Sequence, residues 1–292
     1  MQPLTCKQFE MTSTDGLRIA CTRWSNRSPP RGLLQIVHGM GEHIGRYRPF
    51  IEELVHAGLV VYGHDHRGHG RTARSRAELG DFGPGGFDLL VRDIVRLSLI
   101  ATRENPSQPL ILFGQGMGSF AAQQYVLKHS HLIDGLVLSG SGILDGLAQS
   151  GSPPPSGEGF LYASFMPGRT PFDWLSRDPA VVDAFMRDPL CFGTLKTNAM
   201  ESFLAAASML ADQRRINSVR RDLPVYFFSG SDDPVGQQLE GTKELMHRYR
   251  RAGLRNITHH FYSGGRHEML NEINAAEVRT NLLLWISSVF RW

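Results

Sequence analysis

The sequence predicts an α/β fold with a mostly parallel central sheet, helices on both faces and one helical insertion. Short apolar runs alternate with segments whose apolar residues recur at helical spacing, which is typical of β-α units around a parallel sheet. This alternation stops near Gly142, resumes at Leu223, and is replaced between them by a helical pattern. The 292 residues are enough for one such domain with an insertion.

The first half of the chain supplies most of the predicted strands. Residues 8–14 and 17–24 are β-like and meet at Asp15-Gly16, a favoured hairpin turn. The elements predicted after this hairpin are strand 33–37, helix 47–57, strand 59–62, helix 87–102, strand 110–113, helix 119–128 and strand 133–139.

The second half contains the insertion and the end of the sheet. The stretch SGSPPPSGEG has the composition of a linker, and the residues after it show no convincing strand up to residue 222. The sheet pattern then returns as strand 223–229, helix 237–252, strand 258–262 and helix 275–290. We therefore expect a core domain of residues 1–141 and 223–292 with a helical cap, 142–222, over the carboxyl ends of the strands, where ligands bind in such sheets.

Composition excludes several classes of function. The net charge is +3 and the basic residues are spread along the chain, whereas a nucleic-acid partner requires a clustered basic face. Three scattered cysteines predict neither a disulfide framework nor a zinc site. The sequence has no signal peptide pattern and no apolar run of membrane-spanning length, so we expect a cytoplasmic protein of undetermined oligomeric state.

Five loops that follow predicted strands carry the polar and glycine residues of interest. They read VHGMGEHIGRY, GHDHRGHGRT, GQGMGS, SGSDDPVG and GGRHEMLNE. The third resembles G-x-S-x-G, the turn that presents a nucleophilic serine, but it has glycine at the serine position. In the last two, an acid at the end of one strand and a histidine at the end of the next could form a base and its orienting group.

The order of nucleophile turn, acid and histidine is that of the α/β-hydrolases. With all five motifs in this order, the sequence resembles the monoacylglycerol lipase and lysophospholipase branch of that superfamily, from about Phe9 to the C-terminus. The resemblance implies the α/β-hydrolase fold, a small-molecule acyl ester as substrate, and no cofactor or metal.

The resemblance also implies roles for individual residues. Gly116 is at the position of the serine nucleophile, His267 matches the general base, and Asp233 matches the acid that orients it, with the adjacent Asp232 as an alternative. The backbone amides of Met40 and Met117 match the oxyanion hole. The remaining expected substrate contacts are His38, Gly39, Phe165, Met200 and Phe203.

Glycine at position 116 leaves three explanations open. The chain is a serine hydrolase whose serine has been replaced, or it is a natural homologue without a nucleophile that binds an acyl ligand. In the third explanation, His267 and Asp233 transfer protons in a lyase-like or cofactor-free oxygenase-like reaction. Glycine adopts the expected positive φ without strain, but it has no hydroxyl. Neither Ser119, on the following helix, nor Cys191, in the cap, is expected to replace it, so we expect this form to be inactive as a serine hydrolase.

Two further groups of residues have less specific patterns. His64, His66 and His69 with Asp65 resemble a metal cluster, but alternate residues of one turn are poorly placed around one zinc, and we expect Asp65 and Arg67 to brace this loop as a pair. In the cap, helix 198–210 is expected to form a pocket wall, and residues 160–166 are candidates for weak peripheral contact with a membrane.

Overall fold

The structure is a computed structural model that describes residues 4–149, 165 and 167–292. One eight-stranded sheet runs through it in the order β1-β2-β4-β3-β5-β6-β7-β8. The strands are β1 (Thr5–Thr12), β2 (Arg18–Ser25), β3 (Gly32–Val37), β4 (Leu59–His64), β5 (Leu110–Gln115), β6 (Gly135–Ser139), β7 (Val225–Gly230) and β8 (Ile257–Tyr262). The pairs that β2 forms with β1 and β4 are antiparallel and the other five pairs are parallel, so the mostly parallel α/β fold is confirmed.

Helices cover both faces of the sheet. They are α1 (Arg48–His56), α2 (Gly86–Glu104), α3 (Met117–His129), α4 (Leu144–Gln149), α5 (Pro179–Arg187), α6 (Thr197–Ala211), α7 (Gln213–Ile216), α8 (Glu240–Arg251) and α9 (Ala275–Phe290). One buried apolar cluster joins one face to α2, α3, α6 and α8, and a second joins the other face to α1 and α9. Strands β3 to β7 are buried along their whole length, which explains their continuous apolar sequences.

Two predicted helix starts are displaced by glycine or left-handed backbone. Helix α3 begins at Met117, two residues before the predicted start. The prediction was late because the first residues of the helix belong to the glycine-rich turn and do not show the helical apolar pattern. Helix α8 begins at Glu240 and not at Gln237, because Gln237, Gln238 and Leu239 all have positive φ. Left-handed residues other than glycine are uncommon, so the helical pattern of side chains gave no sign of this turn.

The described part of the segment between β6 and β7 contains four helices and no strand. Helix α6 packs on the sheet domain through Phe203, whose ring lies 5.0 Å from that of Phe87 and 5.7 Å from that of Phe120. Backbone bonds connect the segment to the loops at the strand ends: the N–H of Phe192 donates to Gly41 O at 2.9 Å. Within the described residues, no helix is both long and apolar enough to cross a membrane.

Candidate active site

The turn between β5 and α3 is formed by a glycine with positive φ. Gly116 has φ 52° and ψ −121°, a region that favours glycine because it has no Cβ. Its N–H donates to Ser139 O at 3.0 Å, and its carbonyl accepts from the backbone N–H and the hydroxyl of Ser119. The Ser119 hydroxyl is therefore buried and already bonded, as expected for a residue that is not a nucleophile.

A histidine and a carboxylate meet in front of this turn. His267, in the loop after β8, donates from Nδ1 to Oδ1 of Asp233, in the loop after β7, at 2.9 Å. Asp233 is fully buried and also accepts from the N–H of Val235 at 3.0 Å and from the Ser229 hydroxyl at 3.3 Å. The alternative acid, Asp232, is exposed and accepts from Ser231, so the structure pairs Asp233 with the imidazole.

The pKa of His267 is raised above 6.5. Burial by itself lowers it, because a low dielectric disfavours the charged ring, but the charge and hydrogen bond of Asp233 outweigh that effect. The carboxylates of Glu268 and Glu42 add to the increase. A buried imidazole with this partner is a stronger base than free histidine.

The imidazole points at Gly116. A Cβ built on Gly116 would lie 2.8 Å from His267 Nε2, 3.3 Å from Cε1 and 3.8 Å from the Cα of Gly39. The first of these distances is shorter than real Cβ contacts, so any larger residue at this position requires the ring to move back. Three loops from three strands therefore meet within contact distance around position 116.

An apolar cavity of 130 Å³ opens over this point. This volume is about ten times what one water molecule needs, so an organic group fits. The cavity is lined by Gly39, Met40, Glu42, Gly116, Met117, Phe120, Leu147, Phe172, Trp174, Leu175, Phe185, Phe192, Gly193, Met200, Phe203, Leu204, Val235, His267 and Glu268. The segment between β6 and β7 contributes many of its apolar walls.

Two backbone amides of the cavity are free to bind an acceptor. No hydrogen bond within the described residues uses the N–H of Met40 or of Met117. Met117 is the first residue of α3, where the N–H groups of a helix have no internal partner and the helix dipole favours negative charge. The two amides therefore suit a carbonyl oxygen that gains negative charge.

A buried charge network connects the two loops that flank the cavity. Arg46 donates to both oxygens of Glu268, at 2.5 and 2.7 Å, and to Glu42 at 3.0 Å. Glu42 in turn accepts from the N–H of Gly39 at 2.5 Å and from the Tyr47 hydroxyl at 2.6 Å. The network holds the loop that carries Met40 against the loop that carries the imidazole.

The segment between β6 and β7 is bonded to the same histidine loop through its main chain. The N–H of His267 donates to Trp174 O at 3.3 Å, and the N–H of Glu268 donates to Leu175 O at 2.7 Å. The Trp174 ring also lies 5.0 Å from the imidazole, between centroids. The position of this base therefore depends on both the sheet domain and the inserted segment.

A second group of histidines lies beneath the loop of Met40. His38, His64, His66 and His69 are all fully buried, and burial lowers the pKa of each, to about 4 for His64 and His69. His38 donates from Nδ1 to Gly39 O at 2.9 Å and accepts at Nε2 from the N–H of His66 at 3.0 Å. These rings support the loop and do not face the cavity.

Some of the predicted contacts need correction. Gly39, Met200 and Phe203 line the cavity as expected, but His38 does not, because it is enclosed in the histidine group. Phe165 is not a lining residue either, since its ring lies against the guanidinium of Arg266 at 4.7 Å.

The bracing of the second loop also differs from the prediction. Arg67 pairs with Asp93 and Asp15, whereas Asp65 pairs with Arg71 and accepts from the N–H of Ile44. Of the predicted membrane-contact stretch, residues 160–164 and 166 lie outside the described residues.

Sequence reasoning missed two residues that hold the candidate base in place. Trp174 was visible only as one of many aromatic residues of the segment, and the role of Arg46 depends on partners 4 and 222 positions away in the chain. The position of Arg46, shortly after the glycines of the first motif, was a possible signal of this network, because a buried arginine needs carboxylate partners.

Comparisons with known proteins identify the family of this chain. The sequence model of the family described as serine aminopeptidase, S33 matches residues 28–274. The monoacylglycerol lipase of Mycolicibacterium smegmatis is 28% identical over 97% of this chain and 98% of its own length. The monoglyceride lipase of Mus musculus is 26% identical over 95% of this chain and 88% of its own.

A solved structure is similar over the whole fold. The thermostable carboxyl esterase of Bacillus coagulans, determined in complex with glycerol, superposes with a TM-score of 0.88 at 28% identity, covering 98% of this chain and 99% of that one. With the family match and these relatives, the chain belongs to the S33 serine aminopeptidase family, in the monoacylglycerol lipase-like branch of the α/β-hydrolases.

Proposed function

We propose that this chain is an acyl-ester hydrolase of the monoacylglycerol lipase type in which Gly116 occupies the position of the nucleophilic serine. The observation that supports this most directly is the convergence at position 116 of a base, His267, bonded to Asp233 at 2.9 Å, and of two free amides. Without a hydroxyl at 116, no acyl-enzyme forms there, and the chain is inactive by the serine mechanism.

With serine at position 116, the residues would act in two steps. The serine oxygen attacks the ester carbonyl while His267 Nε2 takes its proton, and Asp233 holds the resulting imidazolium. The N–H groups of Met40 and Met117 stabilise the oxyanion, each contributing roughly 3 kcal/mol in the transition state. The imidazolium then protonates the leaving alcohol, and water, activated by His267, releases the acid.

The cavity and the relatives favour acyl esters as the substrate class. Phe172, Phe185, Phe192 and Phe203 give the cavity apolar walls, on which each buried methylene of an acyl chain contributes about 0.8 kcal/mol. Two relatives are lipases of monoacylglycerols, and the esterase neighbour holds glycerol, an alcohol product of such a substrate. We assign residues 142–222 to a cap that supplies most of these walls.

The experiment compares this chain with its Gly116→Ser variant on p-nitrophenyl esters of increasing chain length. We expect the variant to gain rapid hydrolysis and to be labelled covalently by a fluorophosphonate, which reacts with activated serine. A matched control is Gly83→Ser, which adds a hydroxyl at another positive-φ glycine with open space around it. Equally negligible turnover and no labelling in Gly116→Ser would contradict the proposal.

A further inference from the structure

The cavity contains one side-chain base that is free to act. Among its described lining residues, none has a hydroxyl, thiol or amine group. Glu42 and Glu268 are both bonded to Arg46, and Nδ1 of His267 is bonded to Asp233. The other ring nitrogen, Nε2, has no hydrogen-bond partner in the described part of the chain, so it can accept a proton from a molecule in the cavity.

Glycine at position 116 leaves Nε2 open to the cavity. A Cβ at this position would lie 2.8 Å from Nε2, so a serine side chain would stand between the imidazole and a bound ester. With glycine, nothing projects from this residue. The same opening faces the unused amides of Met40 and Met117, which also line the cavity.

We propose that this chain hydrolyses activated acyl esters directly, with His267 as general base on a water molecule and with no covalent intermediate. The inference rests on the proposed function, because it uses the same cavity and the same two amides. It adds an activity to the glycine form that the serine mechanism does not provide.

The reaction balances without any other component. Nε2 takes a proton from water as its oxygen bonds to the carbonyl carbon, and the carbonyl electron pair moves onto the oxygen held by the two amides. When that pair returns, the bond to the leaving alkoxide or aryloxide breaks, and the imidazolium gives its proton to the departing oxygen. The acid and the alcohol are released and His267 is again neutral. Aryl esters are the favoured class, because an aryloxide is a good leaving group and water attack then limits the rate.

The rate depends on the neutral imidazole, so it rises with pH through the pKa of His267 and then levels. The charged groups that face the ring are Asp233, Glu268 and Glu42, and Arg46 is bonded to the last two. The three carboxylates raise the pKa of His267 above 6.5, although burial by itself lowers it. The inflection in a plot of kcat/KM against pH is therefore expected above that of free histidine.

The test uses the full chain and p-nitrophenyl butyrate, after treatment with a fluorophosphonate that inactivates contaminating serine esterases. We expect hydrolysis to survive this treatment, to fall about 100-fold in His267→Gln, and to show a solvent deuterium isotope effect above one. The matched control is His247→Gln, which removes an exposed histidine outside the cavity and keeps the full rate. Loss of activity on fluorophosphonate treatment, or equal rates in this chain and His267→Gln, would overturn the inference.

Two further measurements separate this inference from its alternatives. An acyl group found on His267 by mass spectrometry during turnover would overturn direct attack by water, because the ring would then be the nucleophile. Fast hydrolysis by Gly116→Ser together with a rate of this chain no higher than that of His267→Gln would overturn the inference alone and leave the proposed function standing. Inactivity of Gly116→Ser would contradict the proposed function itself.

Discussion

His267 and the buried histidine group beneath the Met40 loop show two ways to bury the same side chain. Both environments exclude water, yet the pKa of His267 is raised and the pKa values of His38, His64, His66 and His69 are lowered. The difference lies in the partners. His267 is hydrogen-bonded to the carboxylate of Asp233, whereas the four grouped histidines are hydrogen-bonded to one another and to backbone atoms.

The hydrogen bonds of His38, His66 and His69 require neutral rings, whereas it is chiefly burial that disfavours the charged form of His64, whose Nδ1 has no hydrogen-bond partner among the described residues. His64 donates from Nε2 to Nδ1 of His66, His66 donates from Nε2 to His38 O, and His69 donates to Arg67 O while accepting from the N–H of Gly41. A further proton on any accepting nitrogen breaks such a bond. A buried histidine with no hydrogen bond to a carboxylate is thus a neutral brace, and one with such a bond, as in His267, is a base.

Removing the Asp233 carboxylate should give His267 a lowered pKa, like that of the grouped histidines. In the Gly116→Ser background, we expect Asp233→Asn to lower kcat by about 10⁴-fold, because the imidazole loses its orienting partner. The pKa of His267, followed by NMR, should fall below 6.5. The matched control is Asp232→Asn, which alters an exposed carboxylate one residue away. Equal losses of kcat in the two variants would show that the bond to Asp233 does not distinguish His267 from the grouped histidines.

Arg46 is what allows two carboxylates to stay buried next to His267. We expect Arg46→Met to lower the free energy of unfolding by about 3–5 kcal/mol, because Glu42 and Glu268 lose the cation between them. Urea denaturation measures the effect. Arg48→Met removes an exposed arginine paired with Glu52 on the same stretch of chain and should change stability by less than about 1 kcal/mol. Similar losses in the two variants would show that the network contributes no more than a surface pair.

A methyl group at position 116 tests how closely the imidazole approaches the backbone. We expect Gly116→Ala to cost about 1–3 kcal/mol for its positive φ and to shift the NMR signals of His267, because the new Cβ would otherwise lie 2.8 Å from Nε2. Gly83→Ala is the matched control, with φ 71° and no atom within 4 Å of the added Cβ. It should lose similar stability without moving the His267 signals. Unshifted signals in Gly116→Ala would place the ring elsewhere.

The histidine group should make folding sensitive to acid. Each of its rings stays neutral in the native state, with a pKa of about 4 for His64, while the unfolded chain binds a proton below about 6.5. Stability is therefore lost as pH falls from 6.5 towards 4, by about 1.4 kcal/mol per pH unit for each ring. His267 has the opposite sign: its contribution is present below about 6.5 and is lost as pH rises through its raised pKa.

The variant His64→Asn isolates one of these contributions. Its free energy of unfolding, measured by urea denaturation between pH 6.5 and 4.5, should have a slope against pH that is smaller by about 1.4 kcal/mol per unit. His247→Gln, at an exposed position, should leave the slope as it is. An unchanged slope in His64→Asn would mean that this ring is protonated in the native state.

The sequence predicted the strands and the placement of the motifs, because both depend on local patterns of residues. The apolar runs of β3 to β7 predicted the sheet, and the motif order predicted that Asp233, His267 and Gly116 would share one end of it. Side-chain partners across the fold were not predictable, because nothing local links Arg46 to Glu268 or Arg67 to Asp93. His38 was misplaced for the same reason, because a residue next to a motif glycine faces either the cavity or the protein interior according to long-range packing. Phe165 was misplaced because its contact with Arg266 joins residues far apart in the chain.

The backbone hydrogen bonds from His267 and Glu268 to Trp174 and Leu175 couple any movement of residues 174–175 to the alignment of the base. They are made by main-chain atoms, so substitution of either side chain leaves the connection in place. If residues 174–175 swing outward to admit a ligand, these bonds must stretch or break, and the imidazole loses part of its anchorage at the same moment. An opening at residues 174–175 and a fully anchored imidazole would then exclude each other, so the ring would regain its orientation only when the two hydrogen bonds formed again.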